Sequence, residues 1–513
     1  MLPFTRRGFL GVTAALPLIA QKRPVNLLFI ISDQLRIDAM SCAGNKYLKT
    51  PNLDRLAREG VRFENSNCAF PVCVPSRTAL LTGKSSANTT VRGNQAALDR
   101  ELNPGPTFDN ILHDRGYQTQ YYGKWHAPYK MAGTYDNKVA ATNVPGLPNE
   151  HREFMALLDE HVPKREPRKG ELLEKFYSRP YRPFPVDTQY AEAQAGRHPD
   201  DKHPTQQEVI GVVDVPVEYT HGAHPVNLCL KALEQMKDRP FSLTCSIGPP
   251  HPPFLAIEQF AKQFDFDKMP VPANVNYDRR WAPYQDRAET MSHYHNVDYV
   301  RQLTAAYYAM VLEVDYHVGQ LLNKLDALKL TSNTLVVFTA DHGEMLGAHG
   351  LVSKMVFHEE AVRVPLLMRL PGAIKPGTVV QQPVSGMDVF PAILDYLGAK
   401  QPPRDGDSLR PAIEGRGLAG ADFRVAEWGT RNAPNFMVRT AEWKLMIADS
   451  PASRAIDALF DMKSDPLEMR NLLGDPADKA KYRPKAEEMK QRLLSWLERV
   501  KSPAIEQVRA RKL

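Results

Sequence analysis

Cysteine is scarce in this chain: Cys42, Cys68, Cys73, Cys229 and Cys245 are the only five in 513 residues. So low and odd a count excludes a disulfide-stapled scaffold, and Cys68 and Cys73 lack the spacing of a zinc or redox pair. No stretch beyond the N-terminus is apolar for long enough to span a bilayer. A dense basic block is missing too. The net charge is +6, with 65 basic residues against 59 acidic ones, and the two signs alternate, which argues against a nucleic-acid partner. What is left is 43% hydrophobic and 24% charged. That is the composition of a globular chain with two or three domains, or one large core and an appendage.

The first residues read "MLPFTRRGFLGVTAALPLIAQKRP". Arg6 and Arg7 precede Phe9, Leu10 and a modest apolar run that ends at Ala20, too short for a mature transmembrane helix. The segment resembles a bacterial twin-arginine export signal. It implies a leader over 1–22, passage of the folded protein through the Tat translocon, and a periplasmic or secreted location. The run has no cysteine to lipidate, so no stable membrane anchor is expected.

Beyond the leader, "VNLLFIISDQ" (25–34) is a continuous apolar run, as in a strand buried on both faces. A helix and short strand follow over 50–66, and "GYQTQYYGKWH" (116–126) reads as a strand ending in polar residues. A helix over 223–237 leads to the strand "PFSLTCSIG" (240–248), and a long helix over 301–330 leads to "NTLVVFTADHG" (333–343). Strands that alternate with helices predict an α/β fold. It would be a large, mostly parallel sheet flanked by helices over 23–400, with ligands gathered at the carboxyl ends of its strands. Charges, prolines and histidines dominate about 130–225, which reads as a surface insertion near a substrate mouth. Residues 401–513 read as a smaller C-terminal subdomain, an antiparallel sheet of short alternating strands plus an amphipathic helix.

Two strand ends carry hard ligands, Asp33 with Gln34 and Asp341 with His342. Two carboxylates, an amide oxygen and an imidazole suit calcium, magnesium or manganese better than structural zinc. Lys124, His126, His251 and Lys354 sit at other polar ends. Lysines beside a metal would clamp a tetrahedral oxyanion, and histidines would move protons. Tyr307 and Tyr308 on the long helix read as core, and Met355 and Phe357 as packing under Lys354. His349 and His358 lie close by in sequence with no role assigned.

"CVPSR" followed by "TALLTGK" (73–84) is similar to the signature of type I, formylglycine-dependent sulfatases of the alkaline phosphatase superfamily. "NLLFIISDQLRIDAM", "GYQTQYYGKWH", "PPHPPF", "NTLVVFTADHGEMLGAHGL" and "VRVPLLMRLPG" resemble further blocks of that family, in its order, from about Asn26 to Leu473 apart from the insertion. The resemblance implies a sulfuric ester hydrolase that releases sulfate, acting on a small or oligomeric sulfated substrate such as a sulfated carbohydrate. It implies that a maturing enzyme converts Cys73 to formylglycine (3-oxoalanine). One oxygen of the hydrate would attack sulfur and its second hydroxyl would later expel sulfate. Arg77 would hold the hydrate, and Lys124, His251 and Lys354 would contact the sulfate or the leaving oxygen. His126 would help the hydrate collapse, and the general acid would be His251 or Lys354. Asp33, Gln34, Asp341 and His342, with Cys73 in its matured form, would hold one divalent cation, calcium before manganese or magnesium.

One departure matters. Many sulfatases carry two aspartates where this chain has Asp33-Gln34. The Asp-Gln pair resembles the choline-sulfatase and phosphonate monoester hydrolase branches, which makes phosphodiester or phosphonate cleavage, or choline-sulfatase-like activity, the alternative. The Lys124-Trp125-His126 segment is of the sulfatase kind. A binding protein without catalysis would lack some of these polar positions, and here all are filled.

Overall fold

A computed structural model of the chain describes residues 24–136, 150–173, 179–183, 209–276, 279–284, 296–418, 422–448 and 456–513. The twin-arginine segment and much of the stretch expected to be an insertion lie outside the described residues. The central sheet has seven strands: β1 (Asn26–Ser32), β2 (Val61–Phe63), β3 (Gln118–Gly123), β4 (Phe241–Ile247), β5 (Thr334–Ala340), β6 (Leu366–Arg369) and β7 (Thr378–Val380), in the order β7-β2-β6-β5-β1-β4-β3. β5, β1, β4 and β3 pair in parallel, and only β6 runs against its neighbours. The sheet is therefore mostly parallel, as the alternation of strands and helices predicts.

All seven residues of β1 are buried, which explains its unbroken apolar sequence: alternate side chains feed two cores. Leu28 and Ile30 face one side together with Val336, Phe338, Leu243 and the long helix. Leu27, Phe29 and Ile31 face the other with Leu335, Val337 and Phe390. Each such side chain contributes about 1.5–3 kcal/mol of burial, so the middle of the sheet is rigid. The flanking helices used below are α1 (Pro51–Glu59), α2 (Cys73–Thr82), α3 (Ala223–Met236), α4 (Val297–Ala327), α5 (Val389–Tyr396) and α6 (Pro476–Arg499). α4 begins at Asn296, whose side chain accepts from the N–H groups of Asp298 and Tyr299, a regular amino-terminal cap.

The C-terminal strands β8 (Arg424–Gly429), β9 (Pro434–Arg439), β10 (Trp443–Ile447) and β11 (Ala458–Asp461) form a second, antiparallel sheet in chain order. Their alternation separates two buried faces, with no wet one between. Val425, Val438, Leu445 and Leu459 pack against Leu493, Trp496 and Leu497 of α6. Ala426, Met437, Met446 and Phe460 join the core of the central sheet. The small sheet is thus sealed onto the core of the central sheet.

The structure shortens the expected insertion. Ile210–Val213 is a strand that pairs in parallel with Phe254–Ile257, and Ile210 and Val212 belong to the main core. Prolines and charges on both sides hid this strand, because only Ile210, Val212 and Val213 announce it. Glu150–His161 is a helix, where the sequence suggested no regular element.

Candidate active site

The carboxyl ends of β1, β3, β4 and β5 lie along one edge, because these strands are parallel neighbours. Asp33 and Gln34 follow β1, Lys124 to His126 follow β3, His251 lies in the turn after β4, and Asp341 with His342 follow β5. α2 starts at the same edge with Cys73 as its first helical residue and Arg77 one turn on. Lys354 arrives from the loop between β5 and β6. The residues that end these strands, together with Cys73, Arg77 and Lys354, thus meet at one place.

Two glycines make this possible. Gly123 ends β3 at φ +95°, and a Cβ there would stand 1.9 Å from the Ser246 carbonyl oxygen, so only glycine lets the chain turn toward Lys124. Gly83 closes α2 at φ +66° with Phe390 of α5 against it. Between Lys124 and His126, Trp125 is fully buried edge-on to Tyr121 and Tyr135 at 5.0 and 5.8 Å. The anchored indole leaves its two neighbours facing the site.

Asp33, Cys73, Asp341 and His342 are all buried, with ligand atoms within 4.8 Å of one another. Cys73 Sγ lies 3.2 Å from His342 Nε2, and His342 Nε2 lies 3.7 and 3.9 Å from carboxylate oxygens of Asp341 and Asp33. Asp33 Oδ1 is buried with no hydrogen-bond partner among the described residues. A buried carboxylate oxygen left without a donor is costly unless a cation takes it. The residues therefore fit a divalent metal ion, with two carboxylate oxygens, an imidazole nitrogen and the Cys73 side chain as donors.

Cations surround the cluster. Arg77 donates through Nε to Asp341 Oδ2 at 2.8 Å and through Nη2 to Asp33 Oδ2 at 3.3 Å. Its Nη1 donates to the Lys124 carbonyl oxygen at 2.8 Å and to Ser246 Oγ at 2.9 Å. Lys124 Nζ pairs with Asp33 and stands 3.9 Å from Cys73 Sγ. Burial lowers the His126 imidazole below its ordinary value, and the neighbouring Cys73 side chain acts against that shift. Lys354 Nζ donates to Gln34 Oε1 and lies 3.5 Å from His251 Nε2. Burial alone would push the Cys73 thiol up, but the ammonium charges of Lys124 and Lys354 outweigh it and hold the thiol well below its ordinary range. Burial likewise acts against the Asp33 carboxylate, yet the charges of Lys124 and Arg77 keep it well below the usual carboxylate range. Arg77, Lys124 and Lys354 line the cluster with positive charge, which favours an anionic group there.

Gln34 is placed differently from a simple ligand. It sits at φ 69°, a rare conformation for a residue with a side chain. Its N–H donates to Asp341 Oδ1 at 3.0 Å, and its carbonyl oxygen accepts from Tyr307 Oη at 2.7 Å. Its side-chain amide spans from Glu344 to Lys354, so a metal would share the amide oxygen with an ammonium group. Sequence reasoning misses Tyr307, Ser246 and Glu344. Tyr307 lies on a helix face that is otherwise core, and Ser246 lies inside an apolar strand. Only Glu344, three residues after Asp341, has a position that could draw attention. Met355, expected to pack under Lys354, has its backbone at φ 72° and is 37% exposed. Phe357 is buried as expected.

His349 and His358 form a second cluster below the catalytic loop. Their rings stack at 3.7 Å and 14°, and His358 Nδ1 lies 3.1 Å from Glu468 Oε2. Fully buried Lys444 joins Glu359 and Glu468 at 2.7 Å each. Parallel rings aim their lone pairs side by side instead of at a common point, and Lys444 already holds Glu468. The group is a polar lock between the catalytic loop and the C-terminal sheet. Burial, then the neighbouring His358, pushes His349 down to about 3, and burial with Lys444 holds His358 well below its ordinary value. The unfolded chain takes up protons on both below about pH 6.5 while the folded chain refuses them. Stability is thus present at neutral pH and lost as pH falls. Denaturant unfolding between pH 7 and 5 is expected to show it, with a slope of up to about 1.4 kcal/mol per pH unit for each histidine; a flat profile contradicts the assignment.

Sheet, metal-competent cluster and cationic rim define a hydrolase on an alkaline-phosphatase-like fold. The chain belongs to the sulfatase family: the Sulfatase model matches residues 25–399, and the model of the N-sulphoglucosamine sulphohydrolase C-terminal region matches 347–499. It is a hydrolase acting on sulfuric ester bonds. It is 28% identical to an N-acetylglucosamine-6-O-sulfatase of Bacteroides thetaiotaomicron, over 92% of this chain and 86% of that one. It is also 28% identical to a multifunctional alkaline phosphatase superfamily protein of Trinickia caryophylli, over 92% and 95%. Among solved structures, a phosphonate monoester hydrolase from Silicibacter pomeroyi superposes with a TM-score of 0.73 at 23% identity, covering 94% of this chain and 96% of that one. At that identity the likeness speaks for the fold. No helix of the described residues is long and apolar enough to cross a membrane.

Proposed function

We propose that this chain desulfates a sulfated carbohydrate, with Cys73 matured to formylglycine as the nucleophile and one divalent cation, calcium before manganese or magnesium, as its charge partner. One observation carries the reading: Cys73 is buried at the first turn of α2, 3.2 Å from His342 Nε2, inside the ring of Asp33, Asp341, Lys124 and Lys354. Asp33, Asp341, His342 and the Gln34 amide oxygen would hold the cation, which would supply Lewis-acid charge for the sulfate oxygens and the nucleophile. A hydrated aldehyde at residue 73 supplies one oxygen to attack sulfur and a second to release it. Arg77 fixes both carboxylates in place. Lys124, beside residue 73, neutralises the sulfate oxygens, and His126 holds the hydrate.

The proton for the leaving alcohol comes from Lys354. His251 Nδ1 lies 2.8 Å from the Pro252 carbonyl oxygen, which only accepts, so its proton sits on Nδ1 and Nε2 offers a lone pair toward Lys354. Burial, then the charge of Lys124, lowers His251 to about 3. A neutral His251 orients the ammonium group and is no acid at pH 7.

The carbohydrate substrate is supported by relatives named for such substrates, the N-acetylglucosamine-6-O-sulfatase and an ulvan-active sulfatase. The twin-arginine start supports maturation by a formylglycine-generating enzyme before Tat export to the periplasm or medium. Phosphodiester or phosphonate cleavage is the second reading, favoured by Gln34, which lowers the negative charge at the metal. Choline sulfate belongs to the same reading, since a choline-sulfatase of Rhizobium meliloti is 28% identical over 88% of this chain. A rate comparison of matched aryl sulfate and aryl phosphodiester esters is expected to favour the sulfate. A phosphodiester preference of about a hundredfold or more sinks the first reading. Release of sulfate from a panel of sulfated sugars then names the substrate.

A further inference from the structure

Glu344 follows His342 and Gly343 and is fully buried. No lysine or arginine is paired with it among the described contacts; it faces three donors. Oε2 accepts from the Gln34 side-chain amide nitrogen, and Oε1 accepts from the N–H of Ser353 and, at 3.1 Å, from that of Leu346. Met345 and Ser353 are themselves bonded across the loop, Met345 N–H to the Ser353 carbonyl oxygen at 2.8 Å. The very next residue is Lys354, and its ammonium group donates to the other end of the Gln34 amide.

We propose that Glu344 is a positioning residue that sets two site groups at once: the face that the Gln34 amide presents, and the place at which Lys354 enters. The proposal rests on the reading that Gln34 and Lys354 serve the cation and the leaving group. A side-chain amide has two nearly isosteric orientations, and its neighbours choose between them. Here a carboxylate behind the nitrogen and an ammonium beside the oxygen both demand the same one. Rotating the amide by half a turn would set oxygen against carboxylate and N–H against ammonium. The same carboxylate closes the loop from Met345 to Ser353. Only an acceptor on both oxygens meets all three donors, so glutamine at this position must turn an N–H₂ either on the Gln34 nitrogen or on the two loop N–H groups. An aspartate in place of Gln34, the residue many sulfatases carry, would put two carboxylates face to face. Gln34 and Glu344 therefore belong together.

The test is an exchange. Glu344→Gln is expected to lower kcat by about 10- to 100-fold with KM changed by less than about threefold. It is also expected to lose its metal about tenfold faster on dialysis against a chelator. Adding Gln34→Glu reverses the pair: the new amide donates to the new carboxylate, and its oxygen still accepts from Leu346 and Ser353. The double variant is expected to regain at least about tenfold in kcat and the wild-type rate of metal loss, as coupled neighbours do. The proposal is overturned if Glu344→Gln keeps kcat and metal within about twofold of wild type, or if the exchange restores neither. Should Glu344→Gln not fold, the double variant decides alone: folded and active supports the pairing, unfolded or inactive overturns it. Cys73→Ala is assayed alongside. If that variant turns over like wild type, the functional reading fails, whereas the rate of metal loss still judges Glu344.

Discussion

Cys73→Ala is expected to lower sulfate-ester turnover by about ten-thousandfold or more, while the fold and the metal-competent carboxylates stay in place. The side chain is buried against the site groups His342 and Lys124, so the melting temperature is expected to shift little. Cys73→Ser is the sharper variant. Serine has one oxygen, so it is expected to release about one equivalent of alcohol per enzyme and then stop, because no second hydroxyl can expel the sulfate. In the wild-type protein, mass spectrometry of the peptide holding Cys73 is expected to show sulfur and two hydrogens exchanged for one oxygen. Sustained turnover by Cys73→Ala, or only free thiol in active wild-type protein, overturns the nucleophile assignment.

The second large effect concerns Arg77. Its guanidinium group is buried against Asp33 and Asp341, at 3.3 and 2.8 Å, and is tied to the Lys124 carbonyl oxygen and Ser246. Removing one partner of a buried ion pair leaves an uncompensated charge, which costs about 3–5 kcal/mol. Arg77→Ala leaves two carboxylates beside each other with Lys124 as their nearest cation. Denaturant unfolding in the presence of a chelator is expected to show that loss in full. Excess calcium is expected to restore part of it, because a divalent ion takes over the neutralising role. A loss below about 1 kcal/mol would mean that Arg77 is not what holds the two strand ends together. Arg77→Lys is expected to fall in between, since an ammonium group cannot reach both carboxylates and the carbonyl in one plane.

Much of the site is legible in the order of residues alone. Asp33 and Asp341 end continuous apolar runs, and such runs are parallel strands whose carboxyl ends collect ligands. Cys73 and Arg77 carry a signature with fixed spacing, and one helical turn between them puts both on one side of α2. Other features stay hidden because their role depends on partners far away in the chain. Glu344 can be noticed but not understood, since its partners are Gln34, 310 residues away, and the backbone of its own loop. Tyr307 is apolar in spacing and polar in use. The strand Ile210–Val213 is four residues long and gains its stability from Phe254–Ile257, so no local pattern could reveal it.

The sequence by itself determined the family, the mostly parallel sheet and the polar residues that follow its strands. It could do so because a buried strand must be apolar without break and a ligand must sit where that strand stops. Tertiary structure alone decided how those groups are poised. The neutral state of His251, the direction of the Gln34 amide and the doubly shared Arg77 follow from burial and from charges brought within about 4 Å. Proximity of that kind is a property of the folded chain, and no spacing along the sequence encodes it.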